Sequence, residues 1–346
     1  MNVLFVVMCV IVTWMIGGGQ MGKTSIEWCD ISWNPVTGCT KVSEGCRNCY
    51  AETMASRFWG DRKFSDVMIH PERLEQPLRW KKPVRVFVNS MSDLFHDSVS
   101  DEFIAKVFAV CRISENHKFL ILTKRPNRMN TLLNYDEFYK LATYWCEVFV
   151  DNGPTIKPNI SNIWLGVSVE NQKTADERIP LLLQTPAAVR FVSCEPLLGP
   201  VDLWKFATRE ETFGSMYDHR GSYGFIPGLP KEPIKYHEGI DWVIAGGESG
   251  KNARPMHPGW VRSIRDQCVD AGVPFFFKQW GEWTSEFPQE KDLSYTKEAY
   301  ENGRVFYKVG KKSAGRLLDG REWNEFPMSE MPSTNGNTNT RIKEVE

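Results

Sequence analysis

The sequence predicts an α/β protein, built as a partial or closed (β/α) barrel of about six to seven parallel strands. Two observations lead to this fold class. Short apolar runs, typical of buried strands, alternate with segments whose apolar residues recur at helical spacing. Each apolar run also ends in polar residues or glycine, and barrels of this kind build their sites from the loops that follow the strands. A doubly wound open sheet has the same alternation, so the repeats alone leave it as the competing fold.

The elements follow one another in a regular order. The predicted strands are residues 84–88, 119–122, 163–167, 189–192, 242–245 and 274–277, with residues 26–33 as a further strand before them. The predicted helices are residues 51–58, 101–113, 127–133, 136–149, 174–183 and 260–270. A strand, a helix and a further strand in this order form a right-handed crossover unit, so the strands are expected to be parallel.

Composition and pattern divide the chain into four segments. Residues 21–284 are predicted to form the barrel-like catalytic domain, with an irregular insertion at 204–238. Residues 285–327 read as a small C-terminal extension, in which 307–321 suit a hairpin or loop. Residues 328–346 are rich in Ser, Thr, Asn and Gly, and we expect a disordered tail. Residues 1–20 are interpreted as a non-native or disordered extension, with Met21 as the working start.

Two patterns near the N-terminus suggest other classes of protein. Residues 3–16 carry no charge, but this run is short for a membrane span and no Lys or Arg precedes it, so no membrane association is expected. Residues 17–24 read Gly-Gly-Gly-Gln-Met-Gly-Lys-Thr and match the phosphate-binding loop pattern of nucleotidases. Such a loop needs a helix directly after it, whereas residues 25–33 have no helical stripe and Pro35 follows.

Amino-acid composition indicates the class of the protein and the cellular compartment expected for it. The chain has 346 residues, 42% of them hydrophobic and 25% charged, which is ordinary for a globular protein. Its formal net charge of −1 gives no overall attraction to nucleic acid or to an anionic membrane. Nine cysteines are an odd number, and three of them are clustered, so a reducing cytoplasm is predicted rather than a disulfide framework.

Three cysteines form the most informative motif. Cys39, Cys46 and Cys49 are spaced C-x6-C-x2-C in a stretch interrupted by Pro35, Gly38 and Gly45, so they are expected on a loop. Three thiolates from one loop suit an iron–sulfur cluster, or a zinc ion that takes one more ligand. The nearest candidates for that ligand are Cys29 and His70, and neither belongs to a paired ligand motif. Burial of the three cysteines as small hydrophobic residues is the structural alternative.

Polar residues at the strand ends are expected to line one pocket, because the carboxyl ends of parallel strands meet at one edge of the sheet. Lys278 and Glu248 are the catalytic candidates, since both end strands and can carry charge into a pocket. The candidate cofactor contacts are the remaining strand-end residues, namely Asn89, Thr123, Lys124, Ser168, Glu170, Glu195, Gly246, Gly247 and Glu248. Each of these side chains has a structural or solvated alternative, and their shared position is what favours a pocket.

Three cysteines after the first strand of a partial barrel, the last two spaced C-x2-C, resemble the radical S-adenosylmethionine superfamily. In that superfamily, three cysteines hold a [4Fe–4S] cluster and leave one iron without a protein ligand. This iron chelates the amino and carboxylate groups of S-adenosyl-L-methionine. One-electron reduction then cleaves a carbon–sulfur bond to give a 5′-deoxyadenosyl radical. The resemblance implies Cys39, Cys46 and Cys49 as cluster ligands, S-adenosyl-L-methionine as cofactor, and an electron donor as partner.

Some details differ from that superfamily. Its usual first spacing is three residues, and here it is six. Asn48 replaces the usual aromatic residue before the last cysteine, which leaves Tyr50 after it as a candidate cofactor contact. Gly246, Gly247 and Glu248 resemble the superfamily's Gly-Gly-Glu element, which holds the cofactor's amino group, but they follow the sixth predicted strand rather than an early one.

Residues 23–50, 246–258, 276–280 and 316–327 resemble a phage- and prophage-associated family of three-cysteine proteins of unknown function. This resemblance supplies no reaction; it leaves open a nucleic acid or nucleotide as substrate and a genetically linked partner protein. Three hypotheses follow: a radical enzyme with a [4Fe–4S] cluster, which the sequence favours; a zinc-stabilised nucleic-acid-binding module or nuclease; and a nucleotidase that uses Gly17 to Thr24.

Overall fold

A seven-stranded parallel sheet forms the centre of the protein. The computed structural model describes residue 24 and residues 26–207, 239–285, 298–301 and 304–327. The sheet strands are β1 (Ile31–Trp33), β4 (Arg85–Val88), β5 (Lys118–Thr123), β6 (Ile163–Ser168), β7 (Val189–Cys194), β8 (Trp242–Gly246) and β9 (Phe275–Gln279). Two short strands, β2 (Val36–Thr37) and β3 (Met68–Ile69), pair antiparallel beside this sheet.

The order of the strands across the sheet is their order along the chain. Every neighbouring pair is parallel, and within the described residues β1 and β9 are the two edges. A doubly wound sheet would reverse its order at an internal switch point, which this sheet never does. The predicted partial barrel of about seven parallel strands is therefore confirmed as an open half-barrel.

The first strand is shorter than expected. Residues 26–30 form an irregular segment with a turn, and β1 begins only at Ile31. Trp28 and Cys29, predicted within the strand, instead pack inside the half-barrel. No helix follows residue 24 in this part of the described chain, so a phosphate-binding loop at residues 17–24 lacks the helix that its chemistry requires. Residues 1–23 themselves lie outside the described residues.

Helices connect successive strands and cover the outer face of the sheet. They are α1 (Tyr50–Phe58), α2 (Asp101–Ile113), α3 (Pro126–Leu133), α4 (Asp136–Phe149), α5 (Gln172–Leu183), α6 (Trp204–Ala207) and α7 (Pro258–Ala271). Local signals fix where two of these helices begin. The Ser100 hydroxyl accepts a bond from the Phe103 amide at the start of α2, and Asn171 forms a capping box with Thr174 at the start of α5.

Side chains alternate between the two faces of the sheet, and β9 shows the pattern clearly. Phe275 and Phe277 belong to the large core between the sheet and the helices, whereas Phe276 belongs to a second cluster inside the half-barrel. Trp28, Trp164 and Trp242 fill this inner cluster near the amino ends of the strands. The apolar filling leaves the carboxyl ends of the strands to polar residues, which lie around the mouth of the half-barrel.

A small antiparallel sheet follows the half-barrel. It contains β10 (Trp283–Thr284), β11 (Glu298–Glu301) and β12 (Arg304–Lys308), and α8 (Lys311–Ala314) comes after it. The predicted insertion at 204–238 is described only as α6, and its remainder and the predicted tail at 328–346 lie outside the described residues. Among the helices that are described, none has the length and apolar character needed to cross a bilayer.

Candidate metal centre

The cysteine loop, residues 38–49, lies across the mouth of the half-barrel. It contains one turn of 3-10 helix, Glu44–Cys46, and leads directly into α1. Eight cysteines lie in the described residues, and none of them forms a disulfide. Cys39, Cys46 and Cys49 are the partly exposed ones, while the other five are buried. The predicted loop thus presents the accessible thiols of the described chain.

Glu170, which follows β6, anchors the middle of the cysteine loop. Ser43 Oγ donates to Glu170 Oε1 at 2.8 Å, and Gly45 packs so closely that a Cβ atom there would collide with the Glu170 side chain. Two cations balance the carboxylate, with Lys124 Nζ 3.1 Å from Oε1 and Arg178 Nη1 3.2 Å from Oε2. Burial opposes ionisation of Glu170, but Lys124 and Arg178 outweigh it and hold the pKa of the carboxyl below its usual value.

Glu248, which follows β8, anchors the other end of the loop. Asn48 Nδ2 donates to Glu248 Oε2 at 3.0 Å, and Arg254 Nη2 lies 2.6 Å from Glu248 Oε1. The same arginine reaches Glu44, with Nη1 3.0 Å from the carboxylate and Nη2 3.2 Å from the backbone carbonyl oxygen. The carboxylate predicted to contact a cofactor is thus bound to protein groups that hold the cysteine loop.

Residues after β4 and β5 hold the first part of the loop. Arg125 Nη2 donates to the Thr40 carbonyl oxygen at 3.1 Å, and Arg125 Nη1 lies 3.5 Å from Cys39 Sγ. His96 Nε2 is 2.8 Å from Thr40 Oγ1. The cysteine loop is therefore attached to the ends of β4, β5, β6 and β8, and it is ordered by charged and polar contacts rather than by its own secondary structure.

Burial sets the ionisation of two of the three thiols. It raises the pKa of Cys39 to about 11; Asp93 adds to this effect and Arg125 opposes it. Burial likewise raises the pKa of Cys49, partly offset by backbone N–H groups at the start of α1. The Cys46 thiol lies near enough to both for its charge to disfavour theirs. The thiols of Cys39 and Cys49 are therefore held in the protonated form at neutral pH.

A second polar network lies deeper inside the half-barrel. Lys278 Nζ is 2.9 Å from Glu195 Oε1, and Ser193 Oγ donates to Glu195 Oε2 at 3.1 Å. Ser168 Oγ contacts the Glu195 carbonyl oxygen at 3.2 Å and accepts a 2.6 Å bond from Lys124 Nζ. Burial works against the charge on Lys278, but Glu195 outweighs it and raises the pKa of the ammonium group. Through Lys124 this network continues to Glu170 and so to the cysteine loop.

The other predicted residues also lie around this mouth. Asn89 Oδ1 accepts a bond from the Val36 amide at 3.2 Å, while its buried Nδ2 has no partner among the described groups. Thr123 Oγ1 donates to Asp93 Oδ1 at 2.8 Å, and the Tyr50 hydroxyl donates to the Ser90 carbonyl oxygen. Gly246 borders the Glu195 carboxylate, since a Cβ atom there would lie 2.9 Å from Oε1.

Gly247 has a structural role of its own. Its backbone lies against the carbonyl group of Trp280, so closely that any side chain would collide with it. The predicted strand-end residues therefore gather at one edge of the sheet, although most of their polar atoms already bind other protein groups. Whether they contact a cofactor stays a prediction.

Sequence analysis missed several residues that build the site. Ser43, Asn48, Asp93, Arg178 and Arg254 all hold the cysteine loop or its anchors. One of them had a recognisable signal. Arg178 lies on the apolar stripe of α5, which also includes Ala175, Ile179 and Leu182, and a charged residue on a buried helix face needs a buried partner.

Whether Cys39, Cys46 and Cys49 hold a metal or a cluster stays a prediction. No three His, Cys, Asp or Glu side chains in the described ranges are arranged to hold one metal ion. A four-iron cluster distributes its iron atoms over a larger volume and takes one thiolate at each corner. Cys29 and His70, the candidates for a fourth zinc ligand, have other contacts. Cys29 Sγ faces the Ile26 carbonyl oxygen at 3.8 Å, and His70 Nε2 is 2.8 Å from Thr37 Oγ1.

The raised pKa of Cys39 predicts a slow reaction of the metal-free protein with iodoacetamide. At pH 8 a thiol with a pKa of about 11 is roughly one part in a thousand ionised, against roughly a quarter for a free cysteine. We expect the alkylation rate of Cys39 to be roughly two orders of magnitude lower than in urea-unfolded protein, and to keep rising with pH above 9. Peptide mass spectrometry over a pH series measures both, and a plateau near pH 8.5 in the folded protein would contradict the prediction.

Comparisons with known proteins place the chain in a family without a known reaction. No curated protein matches it. Among solved structures it is similar to spore photoproduct lyase complexed with dinucleoside spore photoproduct, with 11% identity, a TM-score of 0.39, and coverage of 85% of this chain and 72% of that one. A doubly substituted mutant of that lyase, with bound AdoMet and dinucleoside spore photoproduct, is similar at 11% identity and a TM-score of 0.40, with the same coverage. Residues 23–327 match the family described as protein of unknown function (DUF5131), and the chain belongs to that family.

Proposed function

We propose that this protein is an enzyme that binds a [4Fe–4S] cluster through Cys39, Cys46 and Cys49 and uses it to cleave S-adenosyl-L-methionine reductively. One observation carries the proposal. The loop that carries the three partly exposed cysteines of the described chain is fixed over the mouth of a parallel half-barrel by residues that follow four of its strands. Such a mouth is where barrels of this class build their active sites.

The chemistry of the thiols supports iron–sulfur binding. Thiolates are the usual protein ligands of such clusters, and a cluster with three of them keeps one iron open for a small molecule. When bound, the cluster would supply one electron at low potential to the sulfonium of S-adenosyl-L-methionine. The raised pKa values of Cys39 and Cys49 mean that binding must release protons from these thiols.

The polar network gives this chain's residues their proposed roles. Lys124 donates to Ser168 at 2.6 Å and pairs with Glu170, the anchor of the cysteine loop. We assign the ammonium of Lys124 and the hydroxyl of Ser168 to the carboxylate or ribose of the cofactor. The Lys278–Glu195 pair lies on the inner wall, and its side chains are 20% and 13% exposed. We assign this pair to the substrate, whose identity stays open; a nucleic acid or nucleotide is one class that the sequence leaves open.

An electron donor is the partner that this function requires. A cavity of about 550 Å³ lies beside Cys39, and Lys41, Arg62 and Lys63 are among its lining residues. Glu52 and Asp61 line the same cavity, and Lys41 pairs with Glu52 at 2.8 Å, so the rim carries charges of both signs. We assign the approach of the electron donor to this cavity because Cys39 is among its lining residues.

Anaerobic purification of the full chain with iron, sulfide and zinc analysis tests the proposal. We expect about four irons and four sulfides per chain, a brown absorption spectrum, and a paramagnetic signal after reduction that changes when S-adenosyl-L-methionine is added. Reduced protein should then release methionine and 5′-deoxyadenosine. A colourless protein that carries one zinc per chain and resists anaerobic reconstitution with iron and sulfide would overturn the proposal in favour of the zinc-stabilised alternative.

A further inference from the structure

Arg125 places a cationic group against a thiol of the cysteine loop. It follows β5 and precedes the first residue of α3. Its side chain is 10% exposed, and its partner Asp93 is 7% exposed. The guanidinium is therefore a nearly buried, paired cation directly beside the candidate metal centre.

The guanidinium contacts three groups at once. Nη1 lies 3.5 Å from Cys39 Sγ and 3.1 Å from Asp93 Oδ2. Nη2 donates to Thr40 through its carbonyl oxygen at 3.1 Å and its hydroxyl at 2.9 Å. Because the five N–H groups of arginine form a rigid plane, these contacts fix the cation and the cysteine relative to each other.

Asp93 holds the arginine in this position. Its carboxylate accepts bonds from Thr123 Oγ1 at 2.8 Å and from the Lys124 amide at 3.0 Å, in addition to Arg125. The Phe95 amide donates to Asp93 Oδ1 at 3.0 Å. Loss of the arginine would therefore leave this carboxylate with three hydrogen bonds, and the local fold should survive.

The contact is specific to one of the three cysteines. Within the described residues, the polar contact of Cys46 Sγ is with the neutral Ser43 hydroxyl at 3.9 Å, whereas Cys39 receives a charged donor. Hydrogen bonds to ligand sulfurs and nearby positive charge stabilise the reduced, more negative form of an iron–sulfur cluster and raise its potential. The chain's six-residue spacer between Cys39 and Cys46 is held by the same arginine through Thr40.

We propose that Arg125 is a positioning residue that fixes Cys39 as a cluster ligand and raises the reduction potential of the bound cluster. This inference rests on the proposed function, since it requires the cluster to be bound. Arg125 contacts a cluster ligand and does not touch the reacting atoms. Its effect is therefore on the reduction potential of the cluster and on the retention of iron.

The test is a redox titration of the anaerobically reconstituted full chain without S-adenosyl-L-methionine, followed by electron paramagnetic resonance. Arg125→Gln removes the charge, and Arg125→Lys keeps it but cannot serve Cys39, Thr40 and Asp93 together. Arg254→Gln is the matched control, because Arg254 also holds the loop, through Glu44, and touches none of the three sulfurs. Release of iron to a chelator is measured on the same samples.

We expect a more negative potential for Arg125→Gln, a smaller shift in the same direction for Arg125→Lys, and faster iron release from both. Arg254→Gln should keep the wild-type potential. Wild-type potential and release rate in both Arg125 variants would overturn the inference while leaving the proposed function intact. If Arg125→Gln does not fold, Arg125→Lys decides in the same way. Failure of the wild-type chain to bind iron would overturn the proposed function instead.

Discussion

Cys46→Ala is expected to abolish iron binding and, with it, cleavage of S-adenosyl-L-methionine. Cys46 lies between the other two thiols and influences the charge of both, so its loss leaves two ligands that cannot hold a four-iron cluster. Iron content, the visible spectrum and formation of 5′-deoxyadenosine are measured on protein reconstituted anaerobically. Iron and product should both fall to the level of a reaction without enzyme.

Cys29→Ala is the matched control for this experiment. Cys29 is buried inside the half-barrel, and its thiol faces the Ile26 carbonyl oxygen rather than the cysteine loop. This variant should keep the full iron content and a folded circular-dichroism spectrum. Loss of metal in Cys29→Ala with retention in Cys46→Ala would contradict the assignment of ligands, and would make Cys29 a member of the site.

Glu170→Ala is expected to destabilise the metal-free protein by about 3–5 kcal/mol. Glu170 is fully buried and is the shared partner of Lys124 and Arg178, so its removal leaves two cations without their anion. The same change removes the acceptor of Ser43 and so releases the middle of the cysteine loop. Urea unfolding at pH 7, followed by tryptophan fluorescence, measures the free energy of unfolding.

A control variant and the pH dependence distinguish the contribution of the charge of Glu170 from the contribution of its size. Glu170→Gln keeps the size and the acceptor for Ser43, so it should lose the ion pairs but hold the loop better than alanine does. Because the pKa of Glu170 is lowered in the folded protein, its contribution is complete above the unfolded pKa of about 4.3 and is lost as the pH falls through the folded value. An unfolding free energy for Glu170→Ala within about 0.5 kcal/mol of wild type, the range of ordinary surface substitutions, would contradict the buried charge network.

The periodic part of the fold was accessible from the sequence. Two predicted helices, at residues 101–113 and 136–149, have the bounds found in the structure, and the six strands from β4 to β9 differ from the predictions by at most two residues at either end. Such elements are specified locally by apolar spacing and by caps such as Ser100. The first strand was predicted too long because Trp28 and Cys29 are apolar and yet fill the interior rather than extend the sheet.

Only part of the candidate site could be predicted from the sequence. The cysteines and the strand ends could be recognised, because one motif and one topological rule describe them. The residues that hold the loop could not, because their partners are distant in the sequence; Ser43 and Glu170 are 127 residues apart, and Glu44 and Arg254 are 210 apart. For the same reason the sequence does not show that Asn48 and Arg254 bind the carboxylate of Glu248, whose contact with a cofactor stays a prediction.

The cysteine loop is attached to strands that are translated long after the loop itself, and this has a consequence during protein synthesis. The 210 residues between Glu44 and Arg254 take roughly 10 to 40 s to translate. During that time the three thiols have left the ribosome but lack the anchors that follow β6 and β8. The nascent chain therefore carries its three-cysteine motif without these anchors, and in this form zinc or an oxidant can reach the thiols. Under the proposed function, loading with iron is expected only after the finished chain has left the ribosome.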